Sequence, residues 1–558
     1  MKTKELETQL LKIITYSLVF MSISILPYNA IDPINTPKLT VLAVCASMCI
    51  SILIFFKKEL NLRKFKILAI LLLLFNLNLL IVTLTSDVRF DFEFYGTYGR
   101  NTGILTYISV SLILLSVAII SNANSLPKFS QTLQFIGLIA TVYGFIQFIG
   151  LDPVPWDNIF SPVIGFLGNP NFQAALLGII SVIVATTVLS PVISFSEKIL
   201  RLAFLSILLF VIFQTDSKQG LLNFLAGMIV VSWIWIAEKG KRKLTLGVSI
   251  LFGALSSLVV LGTFNFGPLS QFLYKRSISA RIFYWEAGWK MTREHPFFGV
   301  GIDNYGEWYR RTRTSKAATT FGPDSVSDVA HNVLLDFSSN GGFPLLFLYL
   351  LIILFTIRAI VIFVKRQRNF DPIHAGIVGA WVAYQAQSLI SINQLLLVTI
   401  GWVLSGLLIG YEINTRDNVG SDKLVKGKIL KSDFSRVSDP KIVIALFVSI
   451  VVGFLIGAQP MISSVKFRSA LESGDITRIK DSAFLHPLEP IRIFQVASIL
   501  RDNKYEKEAI QVLNKGILDF PNSFILWRAL SEFPEISNSD LKIIKEQMKK
   551  LDPYNSGI

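Results

Sequence analysis

Cysteine is almost missing from this chain: Cys45 and Cys49 are the only two among 558 residues. They stand four apart on one face of an apolar helix, and such a pair builds neither a disulfide framework nor a zinc site. Both read as packing residues, and the redox compartment stays open. Charge is scarce too. Asp, Glu, Lys and Arg make up 16% of the chain against 52% hydrophobic residues, which excludes an ordinary soluble globular protein. Histidine occurs four times, so imidazole chemistry has few candidates.

What is abundant is apolar sequence in runs. Windows near the roughly 20 residues that cross a bilayer recur at about 10–26, 39–56, 67–85, 103–120, 132–150, 173–194, 202–213, 220–236, 244–263, 343–364, 373–390, 395–411 and 442–458. The chain reads as an all-α, polytopic membrane helical bundle with about 12–13 spans. The run 202–213 is short, and either lies at the interface or begins earlier. Leu10 to Leu26 follows Lys2 and Lys4 as a signal peptide would, but no small-x-small cleavage site precedes Pro27. It reads as a retained first helix.

Lys and Arg concentrate in alternate loops. The stretches 57–66, 237–243, 365–371 and 412–441 are rich in them, whereas 27–38, 86–102, 151–172, 214–219 and 391–394 hold at most two each. Cytoplasmic loops carry the excess of positive charge, so the N-terminus is expected inside and, with an odd number of spans, the C-terminal segment outside. Most of the net charge of +15, from 53 basic and 38 acidic residues, then reflects orientation, and no nucleic-acid partner is called for. The loops rich in Gly, Asn, Pro and aromatic residues all fall on the outer face: "DFEFYGTYGRNTG", "LDPVPWDNIFSPVIGFLGNPN", "QTDSKQ" and the long segment 264–342.

Within that segment, "SISARIFYWEAGWKMTREHPFFGVG" predicts an amphipathic helix begun by Ser277 or Ser279 and closed by Pro296, with Ile282, Trp285 and Trp289 on one face. An aromatic face of this kind suits the headgroup region. A second short helix is expected to start at Asp303, followed by a mobile polar stretch, "TSKAATTFGPDSVSD". The segment carries nine basic residues, Lys275 and Arg276 among them, against seven acidic ones, a surface that also suits anionic membrane lipids.

Arg281, Arg100 in "YGRNTG" and Lys218 in "TDSKQG" bring three cations from distant parts of the chain to one membrane face. The set suits a pyrophosphate, whose oxygens take paired donors from Arg and a point charge from Lys. Each cation alone also fits an interfacial anchor that snorkels to water. In "SVSDVAHNVLLDF", Ser327 is a candidate N-cap, and Asp328 precedes His331 by three residues and Asn332 by four. On a helix the Asp328 carboxylate would fix the imidazole tautomer and make His331 a general base for a hydroxyl. The alternative is an Asp–His pair that caps the next span. His295 reads as a helix terminator beside Pro296, and His374 and His486 have no evident sequence partners.

Taken in order, "RNTGILTY", "GNPNFQAALLG", "TDSKQGLLNFLAG", "SARIFYWEAGWKMTREHPFFGVGIDNY" and "HNVLLDFSSNGGFPLLFLYL" resemble the O-antigen ligase and O-antigen polymerase family of bacterial membrane glycosyltransferases, over roughly residues 90–410. The resemblance implies a GT-C-like helical fold that takes a glycan from a polyprenyl (undecaprenyl) pyrophosphate carrier and joins it to an acceptor hydroxyl. It implies catalytic roles for Arg281 and His331 and a donor-site role for Arg100, with no cofactor and no metal. Lys218 departs from the pattern, since Ser-Arg is usual in the family where this chain has Ser217-Lys218; the charge stays but the forked geometry is lost. Lipid, glycan and protein acceptors all occur among such enzymes, so ligase, polymerase and protein O-oligosaccharyltransferase activities stay open.

Beyond the membrane domain, 1–458, the segment 459–558 is polar with helical period. Pro487, Pro521 and Pro553 are spaced by 34 and then 32 residues, close to the tetratricopeptide period. "YEKEAIQVLNKGILDFPNSFILWRAL" resembles one such unit, with Ala509 and Leu513 on its inner face. A short TPR-like array outside the membrane is expected, either holding an acceptor or partner or packing on the outer loop. A transporter is the rival class, but few charges lie inside the spans, where ion and substrate sites of transporters sit.

Overall fold

The computed structural model of the chain describes residues 2–57, 60, 62–156, 161–238, 242–263, 266–268, 270–273, 276–367, 369–416 and 440–558. Lys58, Lys239, Lys241, Lys275 and Arg368, and the basic residues between 417 and 439, lie outside them.

Among the described residues the regular structure is all helical. The first part holds α1 Lys2–Ile23, α2 Asn35–Phe55, α3 Lys66–Thr85, α4 Phe90–Tyr95, α5 Ile104–Ile120, α6 Ser125–Phe148, α7 Pro170–Val188, α8 Phe195–Gln214, α9 Gln219–Glu238 and α10 Arg242–Thr263. The long connection contains α11 Ser270–Leu273, α12 Arg276–Glu294, α13 Tyr305–Thr312 and α14 Ser315–Phe321. Four apolar helices follow, α15 Val333–Arg366, α16 Pro372–Ile390, α17 Leu395–Asn414 and α18 Pro440–Gly457. The C-terminal array is α19 Gln459–Ser473, α20 Ile476–Ser482, α21 Pro490–Asp502, α22 Glu506–Asp519, α23 Phe524–Ser531 and α24 Asn538–Leu551.

Helices occupy all thirteen expected windows, and nine of the helices described are long and apolar enough to cross a membrane by length and composition. The chain is thus a multi-pass membrane protein. The other four windows hold α5, α8, α10 and α16, with α5 a shorter apolar helix of 17 residues. The short window at 202–213 begins earlier, at Phe195, because Ser194 and Glu197 form a reciprocal capping box that starts the helix before the apolar run. The window 173–194 ends early, at Val188.

α17 is the centre of the bundle, buried along its whole length from Leu395 to Ile413. Small residues let it sit against α5. A Cβ on Gly406 would meet the Leu114 carbonyl oxygen at 2.6 Å, and one on Gly410 would meet that of Ala118 at 2.1 Å. In lipid, where apolar surface gains little by leaving the solvent, such close backbone approach and the dispersion it permits drive helix association. Polar groups add to the contact: Ser121 Oγ donates to the Leu407 carbonyl at 2.8 Å, and Asn414 Nδ2 to that of Ser121 at 2.9 Å. Cys45 and Cys49 are buried in α2 as free thiols, as packing residues should be.

The motif "HPFFGVG" has a structural reason. α15 is two helices joined at Gly342, which takes φ 72 and ψ −175, and the kink exposes backbone groups to the 296–301 turn. Phe343 N–H donates to the Pro296 carbonyl (2.8 Å), Val300 N–H to that of Ser339 (2.9 Å) and Gly301 N–H to that of Asn340 (3.1 Å). Gly342 thereby fixes the 296–301 turn against α15. Gly342→Ala should remove folded protein from the membrane fraction: a positive φ alone costs about 1–3 kcal/mol, and the new Cβ would lie 2.6 Å from Pro296 O and Phe297 C. Size-exclusion profiles and melting temperature of the detergent-solubilised variant measure this. A wild-type melt would remove the kink from its structural role.

The C-terminal helices each pack on the next around a core of their own that includes Ile493, Leu500, Ala509, Leu513 and Leu526. Ala509 and Leu513 are both fully buried there.

Candidate active site

The site is built where ends of the apolar helices meet the connection between α10 and α15. Arg100 lies in the turn between α4 and α5. That turn is gripped by Asp303: its carboxylate accepts from Thr97 N–H at 2.7 Å and from the Thr102 hydroxyl at 3.2 Å, and its carbonyl accepts from the Thr97 hydroxyl at 2.8 Å. Asp303 was expected to start a helix. It has φ 58 instead, and the N-cap position of α13 falls on Asn304, because the carboxylate is engaged with a loop some 200 residues away. Burial pushes its pKa up to about 6.

With the turn held, Arg100 makes a two-pronged ion pair: Nε to Asp328 Oδ2 and Nη2 to Asp328 Oδ1, both at 2.8 Å. Burial opposes the charge on each partner, but the pairing outweighs it, raising the Arg100 pKa and lowering that of Asp328. This corrects the expected Asp328–His331 pairing. Residues 327–332 are not helical; Ser327 donates its hydroxyl to the Val329 carbonyl at 2.7 Å and caps nothing. The cap of α15 is Asn332, whose Oδ1 accepts from the N–H groups of Leu334 (3.0 Å) and Leu335 (3.2 Å) and whose Nδ2 donates to the Leu389 carbonyl (3.0 Å). Asn332 thus ties α15 to the end of α16 beside His331.

His331 sits in the left-handed region with φ 54, a conformation that a non-glycine residue keeps only where its surroundings impose it. One constraint is evident. The Asp336 carboxylate accepts the N–H of Ala330, the preceding residue, at 2.7 Å. The imidazole stacks on Tyr284 of α12, ring centroids 5.7 Å apart, and its buried Nδ1 has no hydrogen-bond partner among the described residues. Burial first, and then the charges of Arg281 and Arg100, lower its pKa to about 4, against the opposing pull of Asp328.

Arg281, near the start of α12, reaches across to α16 and donates through Nη1 to the Ile390 carbonyl at 2.5 Å. Burial lowers its pKa, yet a guanidinium stays charged at any physiological pH. The expected helix is there, but it begins at Arg276, before either candidate serine. Its Ile282 and Trp289 are exposed, and its Ala287 and Met291 are buried. The first half of the stretch expected to be mobile is α14, capped by Thr314, whose Oγ1 accepts from Ala317 N–H at 3.3 Å, and the rest, 322–328, is irregular.

Beside Arg100 is a cavity of about 30 Å³, enough to admit water, lined by Arg100, Thr102, Asp303, Asp336, Asn340 and Asn393 among others. Arg281 and His331 are not in its lining, so Arg100 belongs both to this cavity and to the group of cations acting on His331. Lys218 directly precedes α9, and its neighbour Ser217 donates to Asn171 Oδ1 at 2.7 Å in the "GNPN" segment. The charges acting on His331 are Arg281, Arg100 and Asp328. Of the remaining histidines, His295 follows the last residue of α12 as a terminator should, His374 packs between Phe363 and Tyr411, and His486 has a partner the sequence did not reveal, Asp91, at 3.3 Å.

Two arginines and an imidazole are thus gathered near the ends of the spans of a multi-pass membrane protein. Residues 203–350 match the family model Wzy_C, described as O-antigen ligase, so over that stretch the chain carries the domain of a family of glycan-transferring membrane enzymes. The match includes Lys218, Arg281, Asp328, His331 and Asn332, whereas Arg100 lies before it. No curated protein matches the sequence significantly.

Proposed function

We propose that the protein is an O-antigen ligase-like glycosyltransferase that moves a glycan from a polyprenyl, specifically undecaprenyl, pyrophosphate carrier to an acceptor hydroxyl on the extracytoplasmic face of a bacterial inner membrane. The observation that carries this reading is the gathering of Arg100, Arg281, Asp328 and His331 from separate segments into one charged group, with the ion pair between Arg100 and Asp328 at 2.8 Å and His331 under the field of both arginines. A diphosphate is the ligand that two guanidiniums in a partly dry site would attract.

In the reaction the acceptor oxygen attacks the anomeric carbon, and the bond from that carbon to the pyrophosphate oxygen breaks. The electron pair leaves with the polyprenyl pyrophosphate, and the acceptor proton passes to the imidazole of His331. The arginines stabilise charge as it develops on the leaving group, and His331 needs only to be neutral when the hydroxyl arrives. Asn332 and Asp336 hold the histidine turn. Asp328 orients Arg100 and is itself displaced or shared when phosphate oxygens compete for the guanidinium. Lys218, beside the "GNPN" segment, supplies a further point charge for the donor. The N-terminus is cytoplasmic, and the site and the TPR-like C-terminal array are periplasmic.

A deletion strain tests the whole reading. It should accumulate a lipid-linked oligosaccharide and lose one surface glycoconjugate, and both changes should revert with the wild-type gene but not with an Arg281→Ala, His331→Ala double variant. An unchanged lipid-linked pool would rule the donor out.

A further inference from the structure

The C-terminal array is fastened to both walls of the candidate site. On the Arg100 side, Arg89 Nη1 pairs with Asp519 at 2.8 Å, and Asp91 takes His486 Nδ1 at 3.3 Å and the N–H of Leu488 at 3.2 Å. On the His331 side the anchor is Asp552, the residue that follows α24. It is fully buried and accepts from Arg313 Nη2 at 2.8 and 2.7 Å and from Arg310 Nη1 at 3.0 Å. The Arg313 side chain is as buried as its partner.

These arginines end α13, and the beginning of α13 is where the site is made. Asp303 stands two residues before its first turn and holds the Arg100 loop. Gly306, within that turn, lies so close to Asp328 that a Cβ would meet the Asp328 Cα at 3.0 Å. Asp552 therefore fixes one end of a rigid helix whose other end places both carboxylates that set Arg100. A wholly desolvated ion pair is seldom the most stabilising way to fill a core, and its best-attested use is to fix one arrangement among several. The loop and array contacts of Arg311 with the Asn522 carbonyl and of Ser523 with Glu307 lie along the same helix and fit that use.

We propose that Asp552 is a positioning residue for the diphosphate site: through Arg310 and Arg313 it braces α13 so that Asp303 and Asp328 keep Arg100 in register. The C-terminal array is then part of the donor site's framework, and its first task is to hold that site in shape. This rests on reading Arg100 as a donor ligand.

The test uses the full chain in lipid nanodiscs and inorganic pyrophosphate as probe, with binding followed by calorimetry. Asp552→Ala should weaken pyrophosphate binding about tenfold, and Asp552→Asn, which keeps an acceptor oxygen for the arginines, about threefold. In an Arg100→Ala background either change should cost nothing further, since no guanidinium is left to position; general loosening would instead weaken both backgrounds alike. Wild-type affinity in the folded variants, or an equal loss with and without Arg100, overturns the proposal. If Asp552→Ala does not fold, the Asn variant and Arg310→Lys decide by the same comparison. Wild-type affinity in Arg100→Ala itself would overturn the donor-site reading and this inference together, whereas loss there with none in the Asp552 variants overturns this inference alone.

Discussion

His331→Ala should reduce glycan transfer by about 10²–10⁴-fold, the range that a positioned general base contributes, with protein level and melting temperature near wild type. The side chain makes no hydrogen bond through Nδ1 among the described residues and only stacks on Tyr284, so its removal takes little from the fold. The pH profile identifies the role. A histidine whose pKa is lowered to about 4 is neutral throughout the range from pH 5 to 8, and neutral is the form that accepts a proton. The acid limb of kcat/KM, which reports the free enzyme, should therefore lie near pH 4, well below the ordinary histidine value. Donor binding brings phosphate charge against Arg281 and Arg100 and offsets their effect. The acid limb of kcat should accordingly lie at higher pH than that of kcat/KM, as a bound donor makes the imidazole a stronger base. A variant that keeps full activity, or one whose profile retains the same acid limb at reduced rate, would assign proton removal to another group.

The membrane architecture was legible because its cause is local: a run of apolar residues must be helical in lipid, since no water satisfies an exposed backbone. Arg100 and His331 stand out in the sequence as polar residues at the ends of such runs, and Arg281 as a charge at the start of an aromatic helix; the structure brings the three together. Their partners were not legible. Asp328 lies three residues from His331, and periodicity alone pairs them, but the pairing is decided by Arg100, 228 residues away in sequence. Ser327 and Asn332 are both good capping residues; Asn332 wins because it directly precedes the first helical residue. Asp303 and Asp336 look like any acid near a helix start, and only the folded chain shows them holding the turns that carry Arg100 and His331. Asp552, in the last turn-like residues of a polar tail, carries no sequence signal for a contact with Arg313, 239 positions earlier.

Arg281→Ala should lower transfer by about 10²–10³-fold, the loss typical of removing one preorganised donor to a developing anion. Two effects combine. The guanidinium is a fork of five donors, one of which is spent on the Ile390 carbonyl, so its removal takes away both the charge facing the diphosphate and the tether between α12 and α16. The same change acts on His331 in the opposite sense. Arg281 is the largest of the charges that hold the imidazole pKa down, so without it that pKa rises and the acid limb of the pH profile moves to higher pH. Working above the displaced limb restores the base but not the charge on the leaving group, so assays at pH 8 should remain far below wild type. Arg281→Lys separates the two effects: it keeps the charge, and with it an acid limb close to wild type, while the loss of the forked geometry still lowers the rate. A purely structural arginine would behave otherwise. Both substitutions would then lower the amount of folded protein, and the surviving fraction would titrate as the wild type does, which is the result that would take Arg281 out of the chemistry.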